Sequence, residues 1–142
     1  MAGAVAQGIA ESMFCVATAQ LYRPGCPVGI GCSFGIMDMA QALMSIGSPE
    51  MSLASIAQAE VAQSLSLPTW GLAGATDSKC LDAQAGAEAT YHILAQGLSG
   101  LNLIHDVGYM DMSMVCAVEQ LVTGNDIIGM VKRFLKGFSV IG

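Results

Sequence analysis

The chain has 142 residues, of which 54% are apolar and only 11% are charged, and its formal net charge is −6. An average soluble domain carries about 25% charged residues, so the surplus apolar surface predicts contact with further protein. The five basic residues form no broad stripe, which argues against nucleic acid as a partner.

The first part of the chain predicts two helices with a strand between them. A helix is expected over residues 4–22, where apolar side chains recur every three or four positions until "YRPG" ends the pattern. The strand lies in "PVGIGC", from Pro27. The second helix begins at "GSPE", where Ser48 suits the cap and Pro49 the first helical position, and it runs to about Ser64.

The middle of the chain predicts a strand in "PTWGLAG", from Pro68, and then a helix. This helix follows "TDSK", where Asp77 or Ser78 can accept hydrogen bonds from its free amide groups, and it ends near residues 97–100. The glycines before it either relieve crowding or let the strand end approach a ligand closely.

The last part predicts a strand in "LNLIHDVG", from Leu101, and a helix after "HDVGYMD". The helix is expected to pause at "TGND" and to resume over residues 127–135. Its basic end, "KRFLK", suits the negative end of a helix dipole. A short strand, "GFSVIG" from Gly137, is expected to follow.

Strands and helices that alternate in this way predict parallel β/α units, so the fold class is α/β. A closed barrel of eight such units takes about 250 residues, so one domain of residues 1–142 supplies about half of a TIM-type (β/α)8 barrel. An open sheet is the alternative. The nearly uncharged helices favour the partial barrel, because they lack the charged face of a helix that meets solvent. We expect them to pack against the missing half of the barrel, a second copy in a homo-oligomer, or both.

Binding groups in parallel α/β folds gather at the carboxyl ends of the strands. His105 and Asp106 lie at such an end, and an imidazole beside a carboxylate there is the strongest candidate pair. Side chains alternate along a strand, so only one of the two is expected to point into the barrel. His92 lies in the middle of a helix and is expected to be structural, whereas Asp77 and Ser78 are better explained as a helix cap.

Three aromatic residues, Phe34, Trp70 and Tyr109, also lie at predicted strand ends. Aromatic rings near carboxylates such as Asp38 and Asp106 suit a quaternary ammonium ion, with about 0.5–2 kcal/mol for each contact. Core packing explains Phe34 at least as well, and the two explanations weigh equally for Trp70. Two distant histidines and scattered cysteines give no zinc-type spacing, so no metal site is expected.

The expected location is the cytoplasm, without a membrane. Polar residues interrupt every apolar stretch before the roughly 20 residues that a membrane span needs. The start, "MAGAVAQGIAESMF", lacks the basic region and apolar core of a signal peptide. Five cysteines, an odd number without CxxC spacing, are expected to be reduced thiols packed as small apolar groups.

Three long segments carry a family resemblance. They are "PVGIGCSFGIMDMAQALMSIGSPEM", "LPTWGLAGATDSKCLDAQAGAEA" and "GLNLIHDVGYMDMSMVCAVEQLVTGNDIIGMVKR". The sequence resembles the trimethylamine methyltransferase family, which includes relatives that act on glycine betaine and similar quaternary amines. The resemblance covers nearly the whole chain and corresponds to the carboxyl-terminal part of the family's barrel.

The resemblance implies methyl transfer from a small methylated amine to the cobalt of a corrinoid (cobalamin) that a separate protein carries, so no cofactor would be bound directly. Trp70, Gly71, Thr76 and His105 would line the barrel mouth. His105 would contact the substrate and Asp106 would balance charge.

The resemblance is to a family whose trimethylamine enzymes bear pyrrolysine, whereas relatives that act on glycine betaine lack it. No pyrrolysine is present in this chain, so the resemblance favours a quaternary amine. A second hypothesis is a non-catalytic half-barrel that binds or assembles through its apolar helices. A barrel enzyme for a sugar phosphate fits worst, because Lys79 is the one cation near a predicted strand end.

Overall fold

A computed structural model gives the fold and describes residues 1–140. The elements in chain order are α1 (Ala2–Tyr22), β1 (Ile30–Gly31), β2 (Ile36–Asp38), β3 (Leu43–Ser45), α2 (Pro49–Ser64), β4 (Thr69–Leu72), α3 (Ala83–Leu98), β5 (Leu103–His105), β6 (Tyr109–Met110), β7 (Val115–Cys116) and α4 (Val118–Leu135). The protein is therefore a mixed α/β structure, as the alternating pattern predicts.

A parallel sheet of three strands organises the fold, in the order β1-β4-β5. Trp70 pairs with Gly31 on one side and with Leu103 on the other, and Leu72 pairs with His105. The predicted parallel β/α arrangement is confirmed for these three strands. Closure into a barrel is not observed, because β1 and β5 each have one unpaired edge within residues 1–140.

Small side chains let the helices pack closely on one face of the sheet. The main core cluster joins the residue that directly follows β4 to α3 and α4, and it consists of Ala73, Ala89, Ile93, Ile127 and Val131. Gly97 of α3 lies against Val131 and Leu135 of α4, where a Cβ would be only 3.1 Å from the Leu135 side chain. A second cluster, Ile46, Met51, Leu72 and Ala75, joins the start of α2 to the end of β4.

The predicted starts of α2 and α3 have different outcomes. Pro49 is the first residue of α2 and Ser48 is its cap residue, as predicted, although the Ser48 side chain makes no capping hydrogen bond. The prediction that Asp77 or Ser78 caps α3 is wrong. Asp82 is the cap, and its Oδ1 accepts a hydrogen bond from the Ala85 amide at 2.9 Å. The hydrogen bond from the Ala85 amide lowers the pKa of the Asp82 carboxyl, and the hydrogen bond from the Ser78 hydroxyl lowers it further by a smaller amount.

Helix α4 is continuous, so the predicted pause at "TGND" is wrong. Gly124 within that stretch lies where α4 crosses Val107, and a Cβ on Gly124 would overlap the Val107 side chain. The glycine therefore serves a close approach and does not break the helix. The predicted basic last turn is confirmed by Lys132 and Arg133.

Two antiparallel hairpins occupy segments that the sequence suggests are loops. They are β2 with β3, and β6 with β7. Their turns use residues with positive φ that are not glycine: Ala42 at 54°, Asp111 at 48°, Met112 at 55° and Ser113 at 69°. Ala42 and Met112 are not typical turn residues, and Asp111 and Ser113 alone do not indicate a hairpin, so the sequence does not predict these two hairpins.

Helix α1 leaves much of its apolar surface exposed, including Phe14, Leu21 and Tyr22. By length and composition alone it could cross a membrane, contrary to the expectation that no stretch would be long and apolar enough. Helices inside proteins and signal sequences meet the same criterion. Of the strand predicted from Gly137, residues 137–140 are not paired in a sheet, and residues 141–142 lie outside the described part of the chain.

Candidate functional site

The Trp70 indole and the His105 imidazole lie together. Trp70 is the second residue of β4 and does not lie at its end, contrary to the prediction, whereas His105 is the last residue of β5. Their ring centroids are 5.1 Å apart and their planes are inclined by 47°. The register explains the contact, because Leu72 pairs with His105 and Trp70 lies two residues before Leu72 on the same face. The structure thus brings together two of the predicted site residues.

His105 and Asp106 contact each other directly, with 2.7 Å between Nδ1 and Oδ1. The prediction that they point to opposite faces is wrong, because the strand ends at His105 and Asp106 takes a left-handed φ of 75°. An ionised carboxylate only accepts hydrogen bonds, so Nδ1 is the donor in this contact. Both side chains are partly exposed, at 38% for His105 and 29% for Asp106.

Trp70 lies over Gly31 of the neighbouring strand, where any Cβ would overlap the indole. The indole also borders a groove of about 350 Å³ between α1 and β1, which is lined by Glu11, Cys15 and Cys32 among others. Burial, and then the Glu11 carboxylate, raise the pKa of the Cys32 thiol. Cys32 therefore remains a protonated thiol near neutral pH and is a poor nucleophile.

Gly71 and Thr76 do not reach the same face as Trp70. A Cβ on Gly71 would meet Leu101 and Gln96, so Gly71 faces α3, as the alternation of side chains along β4 requires. Thr76 is fully buried, and its hydroxyl donates a hydrogen bond to Glu88. The expectation that these two residues line the open mouth is therefore wrong, because the Thr76 side chain is buried and Gly71 faces α3.

The other two aromatic candidates differ from each other. Phe34 is only 8% exposed and packs against Gly8 of α1, which makes it a core residue and corrects its place in the predicted site. Tyr109 is partly exposed in β6, and its carbonyl accepts a hydrogen bond from the Thr76 amide at 3.1 Å. Tyr109 is therefore fixed beside the β4–α3 loop.

Glu88 of α3 is a residue that sequence reasoning missed. Its Oε2 accepts hydrogen bonds from the Asp77 amide at 2.8 Å and from the Thr76 hydroxyl. The Asp77 carboxylate in turn accepts from the Ile46 amide at 2.9 Å and from the Ser45 hydroxyl. The sequence feature that could have pointed to Glu88 is its spacing of four residues from Gln84 and from His92, which places all three side chains on one face of α3.

His92 lies fully buried in α3, as its mid-helix position suggests. Burial lowers the pKa of His92, and the Glu88 carboxylate opposes that effect in smaller measure. His92 is therefore neutral at pH 7 and belongs to the packing behind the site.

The segments that follow the three strands are acidic. Residues 32–48, 73–82 and 106–117 contain five aspartates and a single lysine, Lys79. Lys79 lies 3.8 Å from the Asp111 carboxylate, which offsets its charge. The segments at this end of the sheet therefore carry a net negative charge, close to the Trp70 ring and the His105–Asp106 pair. Among residues 1–140, no three His, Cys, Asp or Glu side chains are grouped to hold a metal ion.

The whole chain is similar to known methyltransferases. A family model described as trimethylamine methyltransferase matches residues 1–141. The chain is 38% identical over 140 residues to a trimethylamine methyltransferase of Methanosarcina thermophila, covering 99% of this chain and 29% of the relative. The corresponding protein of Methanosarcina barkeri strain Fusaro is 39% identical, with 99% and 28% covered.

A relative named for a different substrate matches the same region. The glycine betaine methyltransferase of Desulfitobacterium hafniense strain Y51 is 34% identical over 140 residues, which cover 98% of this chain and 29% of the relative. The chain spans less than a third of the length of each of these curated relatives.

Proposed function

Because this chain belongs to the trimethylamine methyltransferase family, we propose that it forms part of an enzyme that demethylates a small methylated amine. The substrate is trimethylamine or a quaternary amine such as glycine betaine. The methyl acceptor is the cobalt of a corrinoid that a separate protein carries.

The main support for the proposal is the contact between the Trp70 ring and His105, which is hydrogen-bonded to Asp106. A methylated ammonium ion suits an aromatic face next to a carboxylate, because the ring quadrupole and the negative charge both attract it. The surrounding strand ends add net negative charge and so raise the local concentration of cations.

The chain's own groups position the substrate and do not attack it. The methyl group leaves nitrogen for reduced cobalt, and the nitrogen keeps the electron pair of the broken bond. A quaternary nitrogen departs as a neutral amine without a proton, whereas trimethylamine first needs a proton or an equivalent activating group. In this proposal Nε2 of His105 contacts the substrate, and the hydrogen bond between Nδ1 and Asp106 supports the role of Asp106 in orienting the ring.

A partial barrel is the architecture we propose for this chain. Both edges of the sheet are open within residues 1–140, and Leu103, on the same face as Trp70, is 61% exposed. The exposed apolar residues of α1 likewise call for further protein. The rest of a barrel, or a second copy of the chain, would cover both the open edges and these side chains.

The two hairpins supply a surface for the corrinoid protein. Exposed apolar side chains in or beside them are Met37, Met39, Leu43, Met44, Met114 and Val115. Flexible methionines suit a surface that binds a partner transiently. Both hairpins follow the strand ends, so a protein docked there would face Trp70 and His105.

Calorimetric titration with trimethylamine, glycine betaine and carnitine tests the binding part of the proposal. We expect one of the three to bind and its binding to be lost in Trp70→Leu. The visible spectrum of a reduced corrinoid protein, mixed with the chain and that amine, then reports methyl transfer. Binding of none of the three amines would contradict the proposed substrate class.

A non-catalytic assembly role is the second candidate, and the uncovered helix α1 and the open sheet edges favour it. Light scattering separates the two. A dimer or larger assembly without amine binding would support the assembly role alone, and a stable monomer would contradict it.

A further inference from the structure

Glu88 contacts two of the three segments that follow the strands. Its Oε2 accepts the Asp77 amide and the Thr76 hydroxyl, both in the β4–α3 loop. Its carboxylate also lies directly against Gly47, where a Cβ would collide with it. Oε1 accepts a hydrogen bond from Gln84 at 2.8 Å, which holds the carboxylate from the helix side.

The β4–α3 loop is in turn hydrogen-bonded to the hairpin of β2 and β3. The Asp77 carboxylate accepts the Ile46 amide and the Ser45 hydroxyl, and Ser45 is the last residue of β3. Glu88 therefore reaches this hairpin through two consecutive carboxylates, its own and that of Asp77.

The same loop also holds the hairpin of β6 and β7. The Thr76 amide donates to the Tyr109 carbonyl at 3.1 Å, and the Asp111 amide donates to the Ser78 carbonyl at 2.9 Å. The Ser78 amide donates to the Thr76 hydroxyl oxygen at 3.0 Å, and that hydroxyl is the one bonded to Glu88. One side chain of α3 thus lies at the centre of bonds that join all three strand-end segments.

We propose that Glu88 is a positioning residue that sets the places of both hairpins around Trp70 and His105. It does not touch the proposed substrate. A purely local role would hold only the loop that Glu88 contacts, whereas the proposed role extends to Ile46 and Asp111, which it does not contact. The consequence for amine binding rests on the proposed function, but the structural consequence does not.

Amide hydrogen exchange on the 142-residue chain tests the proposal. In Glu88→Ala, we expect exchange at the amides of Asp77, Ile46 and Asp111 to rise at least about tenfold, because the bonds that protect them depend on the loop. Unchanged exchange at Ile46 and Asp111 would overturn the proposal, whatever happens at Asp77.

Two internal references separate this effect from general destabilisation. The Ala73 amide, bonded to the His105 carbonyl, and the Asn102 amide, bonded to the Thr69 carbonyl, belong to the sheet and should not change. Glu88→Gln should restore most of the protection at Ile46, because its side-chain oxygen can still accept the Asp77 amide. Gln84→Ala is the matched control, since it removes a contact of Glu88 on the helix side alone. An equal rise at Ala73 and Ile46 in Glu88→Gln would also overturn the proposal.

Amine titration followed by Trp70 fluorescence gives the functional result. Glu88→Ala should weaken the binding of trimethylamine or glycine betaine about tenfold, and Glu88→Gln less than about threefold. If the unchanged chain binds neither amine but the exchange pattern holds, the proposed function fails and the positioning role stands. If the amine binds and exchange at Ile46 and Asp111 does not respond, the positioning role fails.

Discussion

The Trp70 indole and the His105 imidazole lie on one face of the parallel sheet with 5.1 Å between their centroids. Neighbouring strands contribute the two rings, so the pair exists only because β4 and β5 are parallel and in this register. The contact leaves the other face of the indole toward Gly31 and the groove beside Glu11. Trp70 is partly buried between these contacts, and the rest of its side chain is exposed.

Trp70 is the only tryptophan of the chain, so its fluorescence reports binding at this place alone. We expect tetramethylammonium to quench it with saturation, because the cation binds the ring face. Trp70→Leu should weaken binding measured by calorimetry by about 2- to 30-fold, which corresponds to the 0.5–2 kcal/mol of a cation–π contact. Neopentyl alcohol, an uncharged molecule of similar shape, is the control. Equal binding of both compounds would contradict a charge-dependent site.

His105→Ala should lower the rate of methyl transfer to a corrinoid protein by at least about tenfold, because Nε2 is lost from the site. Asp106→Asn should lower it less, since an amide oxygen can still accept the hydrogen bond from Nδ1 while the negative charge is lost. Spectroscopy of the corrinoid measures both rates. Asp126→Asn, an exposed charge in α4, is the matched control and should change nothing. A normal rate in His105→Ala would remove His105 from the site.

Two glycines of α4 should respond to alanine in opposite directions. A Cβ on Gly124 would overlap Val107, so Gly124→Ala should destabilise the fold by about 1–3 kcal/mol. Gly129 has no atom within 4 Å of the same position, so Gly129→Ala should stabilise the helix by about 0.5–1 kcal/mol. Urea unfolding of both variants measures the difference. The same sign in both would mean that α4 does not cross Val107 as described.

The elements that were predictable are those with a regular pattern. Apolar spacing located the helices, and Pro49 fixed the start of α2. The short apolar runs located the three strands because both faces of such strands are buried. The alternation along a strand should also have separated Gly71 from Trp70 in the predicted site, since adjacent residues cannot share a face.

The elements that were not predictable depend on single backbone angles or on distant contacts. Nothing in the letters of "HDVG" says that Asp106 adopts φ of 75° and so turns its carboxylate back to His105. Nor does the sequence show that Asp82, five residues after the first candidate Asp77, would be the cap of α3. The Asp77 carboxylate instead accepts a hydrogen bond from the Ile46 amide, more than thirty residues away in the sequence. Such a contact depends on the tertiary fold and cannot be predicted from the local sequence.

His92 gives the chain a defined dependence of stability on pH. Burial lowers the pKa of His92 below its ordinary value of 6.5, so the folded chain binds this proton less readily than the unfolded chain does. As the pH falls below about 6.5, the unfolded state takes up the proton first and the free energy of unfolding decreases. One proton limits the slope to about 1.4 kcal/mol per pH unit.

Urea unfolding at pH 7.5, 6.5 and 5.5 measures this dependence in the unchanged chain, in His92→Gln and in His105→Gln. His92→Gln should lose most of the decrease, because the amide does not titrate. The carboxylates near His92, Glu88 and Asp77, favour its charged form and make the decrease smaller but do not reverse it, since burial is the largest effect. His105→Gln, which replaces the other histidine, should keep the decrease. If His92→Gln weakens between pH 6.5 and 5.5 as much as the unchanged chain, the fall in stability comes from another group and His92 is not the buried neutral residue described.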